Sequence, residues 1–312
     1  MRTFSRREFL IAGGATALGL IAAACGKNGN GGGGGFFQGT PGSLGELVEG
    51  REQTLQVLNS NFETFPNKTQ RLVFGLRNPS TGDFHQGGRA RVWAGLERES
   101  PPLGPFEAAF HGEGLGDRGV YVAEGIFPSE GTWTLVVEAK PDGVPETLIG
   151  PAQQQVGRQT TMPAAGDAAV SVATPTLDEQ RGVDPICTLP DGPCAMHTIS
   201  LDDALANGSP TVMIIATPAF CQSALCGPEV EILSDLSGDY GGRIDFVHIE
   251  LLANDDDQTV QTFSPLSPGA QAWRVEQEPA IYFMDAAGTI TQRIIGPFDR
   301  MEARETVEQL LA

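Results

Sequence analysis

The chain has 312 residues, of which 39 are acidic and 20 basic, giving a formal net charge of −19. That length suits two domains plus connecting segments. So negative a surface repels nucleic-acid phosphates and anionic headgroups, which excludes both as direct electrostatic partners; plain solubility is its ordinary consequence.

The N-terminal residues run M-R-T-F-S-R-R-E-F-L, then an apolar stretch from Leu10 to Ala24, then Cys25. A charged start, a short apolar core and small residues before a cleavage point make a secretory signal. The apolar run, interrupted by Gly13, Gly14 and Gly19, is short for a membrane-spanning helix. The S-R-R-E-F-L run, with Arg6, Arg7, Phe9 and Leu10, resembles the twin-arginine export motif. A-A-A-C, ending at Cys25, resembles the lipobox of bacterial lipoproteins, with Ala22 in place of the more usual Leu. The resemblance implies cleavage before Cys25 and lipid attachment to its sulfur. The mature protein is then expected on the extracytoplasmic face of the cell membrane, held there by its lipid anchor.

Residues 26–50 contain an uninterrupted glycine run and then Thr40-Pro41-Gly42-Ser43, and are expected to be a flexible tether. From 51 to 160 short β-type segments alternate with turns. R-L-V-F-G-L-R (71–77), A-R-V-W-A-G-L (90–96), V-Y-V-A-E (120–124) and T-W-T-L-V-V-E-A (132–139) are rich in Val, Phe, Trp and Tyr, and turn residues separate them. This predicts a β-sandwich. The run I-F-P-S-E-G-T-W-T-L-V-V (126–137) resembles a late-strand signature of immunoglobulin-like domains of bacterial extracytoplasmic proteins. His85 and His111 are placed in Gly-rich loops of this region, with no Met or Cys cluster beside them.

Residues 161–185, rich in Ala, Thr, Pro and Asp, read as a linker. The pattern then changes. P-T-V-M-I-I-A-T (210–217) is a strand apolar on both faces, and E-V-E-I-L-S-D-L (229–236) has helical spacing. I-D-F-V-H-I-E-L (244–251), A-I-Y-F-M-D (280–285) and T-Q-R-I-I-G (291–296) are further strands, and a last helix runs from Met301 to Ala312. This order predicts an α/β fold over residues 186–312, a mixed sheet flanked by helices.

With Cys25 lipidated, four cysteines remain: Cys187, Cys194, Cys221 and Cys226. An even number in an oxidising compartment suggests two disulfides, and closeness in sequence favours Cys187–Cys194 and Cys221–Cys226. The first pair encloses a turn-forming T-L-P-D-G-P and is expected to be a structural staple. No metal ligand set and no cofactor are expected.

Phe220-Cys221 after a buried strand and before a helix resembles the redox site of the thioredoxin-like superfamily, and V-E-Q-E-P-A-I-Y-F (275–283) resembles its later Val-x-x-x-Pro segment. Pro279 matches the family's cis-proline. The resemblance implies thiol–disulfide exchange with extracytoplasmic protein thiols and disulfides, in which Cys221 attacks, Cys226 resolves and Pro279 shapes the docking surface. A helix N-terminus would lower the thiol pKa, and the second cysteine would resolve the mixed disulfide.

Three departures qualify this. The cysteines are separated by four residues, C-Q-S-A-L-C, instead of two. In a regular helix residues five apart lie roughly 8–9 Å apart at Cα, too far to bridge, so a bonded pair requires a non-helical turn, with the helix starting near Gly227-Pro228. Ile214 and Ile215 stand where thioredoxins bury an acid, and Glu278 beside Pro279 would raise a thiol pKa. C-G-P-E at 226–229 echoes the thioredoxin motif in another register, but the 11 residues from Pro210 to Cys221 fit the family better. C-x4-C with the nearby T-P also resembles peroxiredoxins of the bacterioferritin-comigratory type, so a thiol peroxidase stays open. So does a binding module with a non-catalytic disulfide. The spacing fails for Sco-type copper chaperones, and His248 reads as a strand residue.

Overall fold

The structure, a computed structural model, describes residues 35–221, 223–254 and 265–312. The expected signal, Cys25 and the first part of the tether lie outside the described residues. Among those described, no helix is long and apolar enough to cross a membrane.

Seven strands, β1 (Gln56–Asn59), β2 (Gln70–Arg77), β3 (Arg89–Gly95), β4 (Leu103–His111), β5 (Val120–Gly125), β6 (Gly131–Lys140) and β7 (Leu148–Val156), form one antiparallel sheet in the order β1-β2-β5-β4-β3-β6-β7. The sheet is continuous because β4 pairs with both β3 and β5. It curls until its edges meet: the Thr54 and Leu55 N–H groups, just before β1, donate to Ile149 O on β7, and Asn59 Nδ2 donates to Gln153 O. Little open edge is left to pair with another chain. Alternation sends Leu72, Phe74 and Leu76 of β2 and Trp133, Leu135 and Val137 of β6 into one enclosed core.

β6 is buried on its other face as well, and the reason corrects the tether expectation. Residues 36–51 dock there, burying Leu44, Leu47 and Val48. They close over Glu138, a fully buried carboxylate held by Arg51, Arg91, Trp93 Nε1 and the Phe37 N–H. These donors hold its carboxyl below the usual carboxylate range although burial pushes the other way.

The second body is a four-stranded sheet of β8 (Thr211–Ala216), β9 (Asp245–Glu250), β10 (Ala280–Met284) and β11 (Ile290–Ile295), in the order β11-β10-β8-β9. β8 and β9 are parallel; the other pairs are antiparallel. The helices are α1 (Leu201–Ala206), α2 (Cys226–Tyr240), α3 (Pro268–Ala272) and α4 (Arg300–Leu310). Period-two alternation divides the sheet: Val212, Ile214, Phe246, Ile281 and Phe283 pack against α2 and α4, whereas Met213, Ile215, Val247 and Tyr282 pack with Leu201, Ala270 and Trp273. Both faces are covered, as continuous apolar strands require.

The stretch expected as a linker, 161–185, contains no helix or strand, yet it is packed. Met162, Thr174 and Val183 are buried, Gly166 N donates to Ile290 O, and Trp273 Nε1 donates to Val170 O. The two bodies also share a core. Val73 and Val120 of the larger sheet and Leu115 of its β4–β5 loop join Ile232, Phe298, Ala303 and Val307 around α2 and α4. Arg71 forms a 2.6 Å ion pair with Glu302 across this contact, and Arg293 pairs with Glu63.

Candidate active site

β8 ends at Ala216, and the chain turns through Thr217-Pro218-Ala219-Phe220 to Cys221 before α2 begins at Cys226. Cys221 and Cys226 are joined by a disulfide with Cα atoms 6.0 Å apart. The spacing argument is met by a non-helical turn whose Ala224 has φ +52°. The helix begins one residue earlier than expected, so Cys226 is its first residue and Pro228 its third. Cys226 is fully buried, whereas Cys221 is half-buried and reaches solvent. Ser223 Oγ lies 3.2 Å from Cys221 Sγ, placed to donate to it.

This turn is also gripped from the other body. Arg118, in the loop between β4 and β5, donates to Ala224 O at 2.5 Å and to Ser223 O at 3.4 Å. Its guanidinium, 3.9 Å from the Asp117 carboxylate, brings positive charge to the loop that carries Cys221.

The β8–β10 register pairs Ala280 with Ile215, which brings residues 278 and 279 alongside the end of β8. The Glu278–Pro279 peptide is cis. A Glu278 carboxylate oxygen lies within 4.8 Å of both Cys221 and Cys226 sulfurs. Glu278 Oε2 accepts the Thr217 N–H at 2.8 Å, while Oε1 is buried without a partner. Burial pushes this carboxyl up to about 7. Sequence reasoning treated Glu278 only as a charge opposing thiol activation; in place it is a carboxyl able to hold or release a proton at neutral pH, beside the sulfurs. Glu229, the last residue of the C-G-P-E echo, is buried elsewhere: it accepts the Phe298 N–H, and burial raises its carboxyl to about 8.

The expected staple between Cys187 and Cys194 is corrected. Both are free, buried thiols. They face two imidazoles, so that Cys187, Cys194, His197 and His248 place one donor atom each within 4.8 Å of one another. The loop is short enough to bring the sulfurs within hydrogen-bond reach, and His197 and His248 meet them in the same buried space. These four are grouped closely enough to hold an ion, a cluster the sequence reading did not anticipate. His197 went unnoticed, although Cys-x-x-His at 194–197 is a ligand spacing. His248 is a strand residue as expected, but on the α2 side of β9, where alternation places it with Phe246 and Glu250. Between the two thiols a Cys194-to-Cys187 hydrogen bond raises Cys194 and lowers Cys187.

The histidines of the larger sheet do not join them. His111 ends β4 instead of lying in a loop and meets Asp299 at 3.3 Å, a hydrogen bond that raises its pKa. His85 lies after β2, its pKa lowered by burial.

No protein-family model matches the chain, and no curated protein does. Among solved structures, a thioredoxin-family thiol:disulfide interchange protein of Chlorobium tepidum is similar at 15% identity, covering 48% of this chain and 99% of that one, with a TM-score of 0.32. The C-terminal domain of a protein assigned as a thiol-disulfide oxidoreductase of Bacteroides thetaiotaomicron is similar at 13% identity, covering 47% and 95%, with a TM-score of 0.32. A PKD domain of an M14-like peptidase from a Thermoplasmatales archaeon is similar at 13% identity, covering 33% and 93%, with a TM-score of 0.18.

Proposed function

We propose that the chain is a thiol–disulfide oxidoreductase working through Cys221 and Cys226. The observation that carries this reading is the pairing of a solvent-reaching sulfur with a buried one, both beside the Glu278 carboxyl. In the reduced protein Cys221 thiolate attacks a sulfur of a partner's disulfide, and the partner's other sulfur leaves as thiolate. Ser223 and the Arg118 charge stabilise the attacking thiolate. Cys226 then gives its proton to Glu278 and attacks Cys221 Sγ. The partner's second sulfur departs, so two electrons have passed from this pair to the partner. The reverse sequence oxidises a partner dithiol, with Glu278 returning the proton to Cys226. Pro279, buried in the cis peptide after Glu278, would set the backbone that a partner chain meets.

Titrating the full chain against a glutathione redox buffer and alkylating at pH 5–6 tests the reading. One thiol reacting at that pH, in an equilibrium set by the buffer, supports it. A bond that resists reduction until the protein unfolds sinks it and leaves a structural disulfide. Peroxide consumption lost in Cys221→Ser would instead establish the peroxidase reading.

The N-terminal pattern supports export by the twin-arginine route and anchoring through lipidated Cys25, with the active face outside the cytoplasm. Cys25→Ala should release the protein from membranes into the soluble fraction. The seven-stranded body, read as an immunoglobulin-like module over 51–160, then braces the thioredoxin-like body over 186–312 through Arg118 and the shared core.

A further inference from the structure

We propose that Cys187, Cys194, His197 and His248 form a closed, four-ligand zinc site, separate from the redox pair. All four residues are buried, at 4%, 7%, 1% and 0% exposure. Their setting fixes which ring nitrogens face inward. His248 Nε2 lies 3.2 Å from Ala216 O, and His197 Nδ1 lies 3.4 Å from Pro175 O. A carbonyl only accepts, so in the tautomers that satisfy both carbonyls each of those nitrogens carries its ring's proton. His248 Nδ1 and His197 Nε2 are left as bare lone pairs, and they face each other at 3.1 Å. Two lone pairs at that distance repel unless a cation lies between them. A shared proton is the other cation that could bridge them; burial opposes an imidazolium there and the Cys187 sulfur beside His248 favours it.

A metal ion meets the geometry better. Zn–N bonds of about 2.0–2.1 Å and Zn–S bonds of about 2.3 Å give tetrahedral edges of about 3.3 Å between nitrogens and about 3.6 Å between nitrogen and sulfur. The corresponding separations here are 3.1 Å for His197 Nε2 to His248 Nδ1 and 3.6 Å for Cys194 Sγ to His248 Nδ1. Charge agrees as well: two thiolates and two neutral imidazoles around a dication sum to zero, the state a buried site tolerates. The backbone carbonyls of Pro175 and Ala216 are the outer partners that orient metal-bound imidazoles.

Four protein ligands leave no open position, so the ion would be structural. It would fasten a stretch whose only regular structure between Pro185 and Leu201 is the short turn Ala195–His197 to the middle of β9. That stretch touches the redox loop: Thr188 Oγ1, next to Cys187, accepts the Ala219 N–H at 3.1 Å.

The test is elemental analysis of the full chain purified in reducing buffer. About one zinc per chain is expected, and Cys194→Ser and His197→Gln should each lower it roughly tenfold or more. Since either substitution risks misfolding, the wild type supplies a second measurement. Stripped with a chelator, it should melt at a lower temperature and recover on adding zinc; loaded with cobalt(II), it should show thiolate-to-cobalt charge transfer and the intense visible bands of a tetrahedral site. The double variant Cys221→Ser/Cys226→Ser should keep its zinc. Loss of zinc in that double variant would overturn the assignment by moving the ion to the redox pair. Copper(I) in place of zinc, no cobalt spectrum, or a mapped Cys187–Cys194 disulfide in the folded protein would overturn it too.

Discussion

The two cysteine pairs lie on the same side of one sheet and share one apolar cluster, yet they are prepared for different chemistry. Cys221 and Cys226 straddle an irregular turn, one sulfur toward water and one beneath it, with a protonatable carboxyl at hand. Cys187 and Cys194 are both buried, and the side chains that meet them are imidazoles. What separates the pairs is the neighbours rather than the sulfur. A carboxyl that titrates near neutrality serves a proton that must come and go, whereas two imidazoles locked by backbone carbonyls offer lone pairs that stay where they are.

The largest effect that would break this comparison is loss of exchange. Cys221→Ser should abolish disulfide reduction in an insulin turbidity assay, while Cys226→Ser should accumulate mixed disulfides visible on non-reducing gels; equal activity in both variants would remove the asymmetry. Next comes Glu278→Gln, which should slow resolution of the mixed disulfide by about 10²-fold. The carboxyl accepts a proton only when ionised, so the wild-type rate should climb as pH rises through about 7, the value to which burial pushes Glu278. In the Gln variant that climb should move up to the thiol's own range. Stopped-flow rates between pH 5 and 9 decide it; an unchanged profile would strip Glu278 of its role.

Smaller changes sharpen the link between the pairs. Thr188 Oγ1 accepts the Ala219 N–H and lies 2.9 Å from Glu250 Oε2, to which it donates. Thr188→Val leaves both groups short of a partner and should cost about 1–3 kcal/mol in a urea titration. A neutral result would mean that the two regions are mechanically independent. The smallest expected effect belongs to Ala224→Gly. A non-glycine residue at φ +52° is costly, so glycine there should stabilise the oxidised protein by up to about 1 kcal/mol, less what the unfolded chain gains in freedom.

Much of the α/β body was legible in the sequence because buried strands such as 210–217 and 280–285 are continuous apolar runs of strand length bounded by polar or turn residues. β4 and β7 were not. The first contains Gly104, Pro105 and Glu107, and the second carries three consecutive glutamines of which Gln154 points inward and is buried, so polar residues on both faces hide the alternation. α1 and α3 are too short for a helical period to show. At the redox turn, the spacing of the cysteines foretold a break in the helix, and Arg118 could not have been foretold, since it arrives from a strand connection more than a hundred residues earlier. The Cys187 and Cys194 staple was inferred from nearness along the chain. What decides their state is the β9 register, which carries His248 to them from 54 residues beyond Cys194.

Val73, Leu115 and Val120 contact Ile232 and Phe298 in one cluster, as the shared core between the bodies. Anyone trimming the gene to the redox half would therefore expose an oily patch along α2 and lose the guanidinium that clasps the cysteine turn. A fragment starting near residue 161 should clump in solution, and a weak result from it would say nothing about the intact molecule.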